Sequence, residues 1–214
     1  MKLIDALKEK GNPFWIPDCT RSELPEFFVQ LGFKRGAEIG VSHGLNMVDY
    51  LEAGLEMYGI DPWMDSEDNI HRKVISVEGK YGRTAEGIYE LAKIRLAKYP
   101  NCTLIRKDSV EASKDFPKRS LDFVYIDGNH LFGYVAMDLM KWSRKVRRGG
   151  IIAGHDYWFP KDWRAGRTYR DVRYVVDAYV KHCDVDNWYI LGSKEPQKGE
   201  RFDAAYSFFF IKHW

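Results

Sequence analysis

Short apolar runs alternate along this chain with segments whose apolar residues recur every three or four positions. That alternation is the sequence form of a parallel sheet with helices on both faces. Residues 37–40 predict the first core strand, which runs directly into a helix marked by Leu45, Val48, Leu51 and Leu55. Residues 57–60 predict a second strand that closes on Asp61. Ile88, Leu91, Ala92, Leu96 and Tyr99 form the next helical stripe, stopped by Pro100 and Asn101. A third strand follows over 102–106, then a short helix over 110–115. Residues 121–126 are almost wholly apolar, as a central buried parallel strand should be. Leu131, Val135, Leu139, Trp142 and Val146 are spaced for one helix, which Gly149 and Gly150 end. Residues 151–153 give a fifth strand, and Val172, Val175, Val176 and Tyr179 a further helix. Residues 188–191 and 206–211 are strands with no helix between them, so they must pair antiparallel.

Residues 62–83 are polar, irregular and glycine-containing, and predict a long loop with at most a short helix. Ahead of the sheet, residues 20–31 predict a helix, with Thr20 or Ser22 at its start and Gly32 beyond its end. That leaves residues 11–17, with Phe14 and Trp15, as an arm or lid. The expected organisation is one domain over 1–214, with a helical arm over 1–35, a ligand-binding core over 36–214 and an insert at 157–169.

Composition narrows the function classes. The chain of 214 residues is 45% hydrophobic and 30% charged, an ordinary soluble balance. A formal net charge of +2 gives no bulk attraction for nucleic acid, so no nucleic-acid partner is expected. No signal-like apolar run opens the chain and no apolar stretch reaches the roughly 20 residues of a membrane span. Cys19, Cys102 and Cys183 lie far apart and lack metal-knuckle spacing. They read as reduced structural thiols of a cytoplasmic protein. A homo-oligomer is compatible with all of this.

The first strand ends in Glu38-Ile39-Gly40-Val41-Ser42-His43-Gly44 at the start of a helix. Open parallel sheets bind ligands at the carboxyl ends of their strands, and small residues there allow close backbone approach. Asp61, with Pro62 and Trp63 after it, ends the second strand about twenty residues on, where an acid can accept hydrogen bonds from ribose hydroxyls. A dinucleotide would want a third glycine for its pyrophosphate, and none stands at that spacing. Glu38 instead suits a ligand carrying positive charge. Asp108 and Ser109 follow the third strand, where they either meet an adenine edge or cap the next helix.

The ordered series Glu-Ile-Gly-x-x-x-Gly, Tyr-Gly-Ile-Asp, Asp-Ser, Asp-Phe-Val-Tyr-Ile-Asp-Gly-Asn-His and Gly-Gly-Ile-Ile-Ala-Gly-His-Asp-Tyr resembles the class I methyltransferases. It is most similar to the bacterial small-molecule branch related to macrocin O-methyltransferase and cephalosporin hydroxylase. It is more distantly similar to the cation-dependent catechol and caffeoyl-CoA O-methyltransferases. The resemblance covers 37–157 well and the final strands in topology only. It implies a Rossmann-like α/β fold with a mainly parallel seven-stranded sheet and an antiparallel last strand. It also implies S-adenosylmethionine (SAM) as cofactor, held by Glu38, Gly40, Val41, Ser42, Gly44, Asp61, Pro62, Trp63, Asp108, Ser109 and Asp127.

Asp127, His130, His155 and Asp156 fall at neighbouring strand tips, where a buried strand has no need of them. In one reading Asp127, His155 and Asp156 hold Mg²⁺ or Mn²⁺, which lowers the pKa of an acceptor hydroxyl. His155 stands where the catechol-type pattern has an acid, and Asp156 where it has an amide. In the other reading His155 or His130 is a general base, with Asp127 beside it. His130 has an alternative role as a helix cap or supporting partner. The insert at 157–169 interleaves Trp158, Phe159 and Trp163 with Lys161, Arg164 and Arg167. It suggests an acidic or sugar-like acceptor, or else a packed loop. The expected activity is O-methylation of a small hydroxylated metabolite, a sugar or natural-product intermediate. A non-catalytic SAM-binding module and an NAD-dependent oxidoreductase are the alternatives.

Overall fold

The computed structural model describes residues 1–16, 18–64, 84–158, 167–192 and 205–214, with 158 and 167–170 described by backbone alone. In chain order the elements are α1 (Leu3–Ala6), β1 (Phe14–Ile16), a 3₁₀ turn (Arg21–Glu23), α2 (Leu24–Gln30), β2 (Arg35–Ile39), α3 (Leu45–Glu52), β3 (Glu56–Ile60) and α4 (Ala85–Leu96). Then come β4 (Cys102–Ile105), α5 (Ser109–Ser113), β5 (Leu121–Ile126), α6 (Phe132–Trp142), β6 (Val146–Trp158), α7 (Arg167–His182), β7 (Trp188–Leu191) and β8 (Tyr206–Ile211).

They form one eight-stranded sheet in the order β1-β7-β8-β6-β5-β2-β3-β4. Every neighbouring pair is parallel except those made by β8, which runs antiparallel to β6 and β7. The mainly parallel α/β sheet with a closing antiparallel pair is the expected one. The eighth strand comes from the segment expected as an arm or lid. Three residues with no alternating pattern carry little strand signal, and pairing with β7 supplies what local sequence does not. Asn187 Oδ1 accepts from the Gly11 amide at 2.7 Å, and the Gly11 carbonyl accepts from the Trp188 amide, which fixes the entry to β1.

Side chains along β5 alternate between the two faces. Phe123 and Tyr125 enter a core with Phe28, Phe33, Tyr50 and Phe209, while Val124 and Ile126 enter another with Trp142, Ile152 and Val176. The ring of Phe28 sits 4.3 Å from that of Phe123, which seats α2 on the sheet. The helical spacing that carried α6 on to Val146 overran the element. The helix ends at Trp142, and Val146 begins β6 fully buried. A buried strand residue four positions after Trp142 falls in helical phase by coincidence. Lys212 Nζ donates to the carbonyls of Ser143 and Val146 at 2.9 and 2.8 Å and satisfies the turn between them.

The chain passes from β2 out to β3 and β4, then returns across β2 to β5 and leaves on the other side. The order of strands therefore reverses between β2 and β5, and a crevice opens beyond their carboxyl ends.

Candidate active site

Gly40 and Asp127 follow directly on β2 and β5 at that reversal. Gly40 has φ +90°, and a Cβ there would lie 2.1 Å from the carbonyl oxygen of Asp127. The glycine is thus required first by the contact between the two strand ends, which the Asp127 amide and Ile39 carbonyl complete at 2.8 Å. Gly44, at φ +74°, precedes α3, and a Cβ there would press on Leu96 of α4 at 2.8 Å.

A cavity of about 740 Å³ fills the crevice. Glu38, Gly40, Val41, Ser42, Asp61, Pro62, Trp63, Asp108, Ser109 and Asp127 all line it, whereas Gly44 sits just behind as the residue preceding α3. Glu38 is 1% exposed. Asn46 donates to its Oε1 at 2.9 Å, while Oε2 is buried with no hydrogen-bond partner. Burial pushes the Glu38 carboxyl up to about 8. Asp61 accepts from the Ser42 amide at 2.9 Å and the Trp63 amide at 2.8 Å, so its carboxylate first of all closes the loop around itself. Trp63 donates from its indole to the Ser42 carbonyl and packs 4.7 Å from the Tyr89 ring, which walls that side.

Asp108 does cap α5: its Oδ1 accepts from the amides of Val110 and Glu111. Ser109 donates to Asp138 of α6 and accepts from the Trp142 indole at 2.9 Å. Asp138 lines the cavity, and burial raises its carboxyl to about 7. It was missed in the sequence, although an acid between Val135 and Leu139 on an otherwise apolar helix face is a visible signal. Asn46 and Arg21 were missed too, and neither breaks any local pattern.

A charged cluster also borders the cavity. Neighbouring strand residues ordinarily point to opposite faces, yet His155 and Asp156 join one group. Strand β6 shifts register between Gly154 and Trp158, and Asp156 takes φ +57°, so the chain re-aims both side chains. His130 Nε2 lies 2.8 Å from Asp156 Oδ2 and 3.9 Å from Asp127 Oδ1. His155 Nδ1 lies 3.2 Å from Asp156 Oδ1 and 3.8 Å from Asp127 Oδ1. Arg21, from the 3₁₀ turn, sets a guanidinium nitrogen 3.2 Å from Asp127 Oδ2. Burial of Asp156 opposes its charge, but the facing histidines hold its carboxyl well below the usual carboxylate range. Burial likewise disfavours a charged His130, but the Asp156 and Asp127 carboxylates together outweigh it and lift the imidazole to about 9.

Among the described residues, Asp127, His130 and Asp156 bring ligand atoms within 4.8 Å of one another, so that a small adjustment would let them share one cation. They line the cavity, whereas His155 stands outside its lining and backs Asp156. The trio therefore has His130 where the sequence reading had His155. Beyond Tyr157, whose hydroxyl donates to Asp177 at 2.7 Å, the aromatic and basic residues of the insert lie outside the described residues or are described by backbone alone. The 62–83 loop is described only to Met64. No helix among the described residues is long and apolar enough to cross a membrane.

A family profile described as Methyltransferase domain matches residues 37–157. An uncharacterized protein of Sinorhizobium fredii, y4gI, is 25% identical over 130 residues, 58% of this chain. The chain spans 13% of the length of that relative. A Staphylococcus aureus protein provisionally assigned as a caffeoyl-CoA O-methyltransferase superposes with TM-score 0.59 at 13% identity, over 98% of this chain and 88% of its own. A Bacillus cereus O-methyltransferase in complex with S-adenosylhomocysteine superposes with TM-score 0.58 at 12% identity, over 90% and 80% of the two chains. A Streptococcus thermophilus rRNA methylase does so with TM-score 0.59 at 11% identity, over 92% and 99%. At these identities the likeness is one of fold, shared by enzymes with different acceptors.

Proposed function

Because the chain belongs to the methyltransferase-domain family, we propose that it uses SAM to methylate a hydroxyl of a small acceptor, a sugar or natural-product intermediate. The observation that carries this reading is the acid-lined cavity at the reversal between β2 and β5. Its lining offers the buried, unpartnered Glu38 Oε2 beside the Gly40 loop, together with Asp127, His130 and Asp156.

The lining suits the cofactor's charge distribution. An ammonium group satisfies a buried carboxyl oxygen that otherwise lacks a partner, and acidic walls favour a sulfonium. In this reading Asp61 and Asp108, which line the cavity, take the nucleoside, with Trp63 as a flat wall. SAM supplies a methyl group on a positively charged sulfur, open to in-line attack by an oxygen. The chain's own task is then to align that oxygen and take its proton.

Within the rim, His130 carries its proton at neutral pH, so it serves as a hydrogen-bond donor to the acceptor oxygen. Asp127 takes the hydroxyl proton, being the most exposed member of the trio with 19% of its side chain open. Asp156 fixes His130, and His155 fixes Asp156. The same donor set fits a divalent cation once His130 gives up its proton: Asp127, His130 and Asp156 would hold it, and it would acidify the hydroxyl. The apolar mouth, with Leu45, Tyr134 and Met137 exposed, favours a compact acceptor that presents its hydroxyls inward.

The test is formation of S-adenosylhomocysteine from SAM across a panel of hydroxylated acceptors, run with chelator, Mg²⁺ and Mn²⁺. Turnover is expected to fall by roughly 10²- to 10⁴-fold in Asp127→Asn. Cofactor binding with no turnover on any acceptor would mark a binding module, and tight binding of NAD in place of SAM would sink the reading altogether.

A further inference from the structure

Among the described residues, six carboxyl groups line the cavity, those of Glu38, Asp61, Asp108, Asp127, Asp138 and Asp156. They match a ligand's cations, but the amino-acid end of SAM also carries a carboxylate, which such walls repel. The described cationic side chains of the lining are Arg21, His43 and His130. Burial, and then the nearby Arg95, hold His43 below the usual histidine range, so it stays neutral. His130 is committed to Asp156 at the acceptor end. Arg21 alone among them carries a charge that no ordinary pH removes.

Its position is built rather than accidental. The Thr20 amide donates to the Glu23 carboxylate at 2.8 Å and closes the turn that carries Arg21. The side chain is 17% exposed and lies against Asp127, at the end of β5 beside Gly40. Its field also reaches Glu38, where it favours the ionised carboxyl against burial. Arg21 is thus set between the acid suited to the cofactor's ammonium and the acid that receives the acceptor's proton.

We propose that Arg21 binds the carboxylate of the cofactor's amino-acid end, with its contact to Asp127 holding the guanidinium in place, so that the segment ahead of the family-matched region supplies part of the cofactor site. This rests on the SAM reading above. A guanidinium pairs with a carboxylate through two parallel N–H donors, which gives orientation as well as affinity.

The experiment compares S-adenosylhomocysteine with its decarboxylated analogue, S-adenosyl-3-thiopropylamine, by calorimetry on the full chain. Wild-type protein is expected to prefer S-adenosylhomocysteine by roughly 10- to 100-fold. In Arg21→Gln that preference should collapse to within about threefold, with affinity for the analogue nearly unchanged. Equal weakening of both ligands would make Arg21 a purely structural residue and overturn the assignment, as would an undiminished preference. Should Arg21→Gln fail to fold, Arg21→Lys gives the same reading in milder form: the preference falls, and an unchanged preference overturns the proposal. Wild-type protein that binds neither ligand removes the SAM reading itself, an outcome separate from failure at Arg21.

Discussion

Glu38 is a carboxyl whose charge depends on its visitor. With its pKa lifted to about 8 by burial, it is mostly protonated at pH 7. An ammonium group placed at Oε2 favours the ionised form, so the pKa falls and the proton leaves. Binding of S-adenosylhomocysteine at pH 7 is therefore expected to release most of one proton. Calorimetry in buffers of different ionisation enthalpy reads that directly, and Glu38→Gln should bind without the release. A proton count near zero in the wild type would show that the ligand's ammonium lies elsewhere. Glu38 and Gly40 were legible in the sequence because a motif holds them in order, yet the reason for Gly40 was not. Its lack of a side chain serves the contact with Asp127 across the sheet, which no local pattern records. Arg21 was illegible for a related cause. A basic residue at the start of a helix looks like any solvated one until the sheet brings β5 beneath it.

The elements owe their relative placement to pairings at both ends of the sheet. At the end away from the cavity, Asp122 of β5 accepts from the amides of Lys34 and Arg35 ahead of and in β2, at 2.7 and 3.0 Å. It also accepts from Arg147 Nε of β6 at 2.6 Å, and its side chain is only 18% exposed. One carboxylate thus ties three adjacent strands. Asp122→Ala is expected to lower unfolding free energy by about 2–4 kcal/mol, since it removes hydrogen bonds to a charged acceptor and strands two amides. A urea titration should show a lower midpoint with an unchanged slope, and S-adenosylhomocysteine affinity should stay at the wild-type value. Loss of binding at full stability would mean that the two ends of the sheet are coupled. The strands and helices of the βα series were readable because each has its own period. β1 and the α6–β6 boundary were not, because one is decided by a partner strand far along the chain and the other by a strand residue in helical phase.

For the molecule as a whole, the sheet order concentrates ionisable groups at one edge, and the fold's stability inherits their titration. The folded protein binds the His130 proton with a pKa of about 9, against about 6.5 in an unfolded chain. That contribution is complete below about pH 6.5 and disappears as pH rises through about 9, and its size is on the order of 3 kcal/mol. Glu38 acts in the same direction, since its raised pKa means that a rising pH forces a charge into a buried site. Asp156 acts oppositely: its depressed pKa adds stability above about pH 4 that is lost only as pH falls through the folded value. In chelator, the melting temperature of the wild type is thus expected to decline steadily between about pH 6.5 and 9.5. His130→Gln should flatten that decline, leaving the part that Glu38 contributes. Asp156→Asn should flatten it in part, because His130 then loses one of the two carboxylates that raise it and keeps Asp127, and asparagine tolerates the positive φ at this position. The double variant should be no flatter than His130→Gln, since both changes act through the same histidine. A wild-type slope that survives in His130→Gln would place the alkaline sensitivity outside the cluster and remove the argument that this histidine is charged when the acceptor arrives.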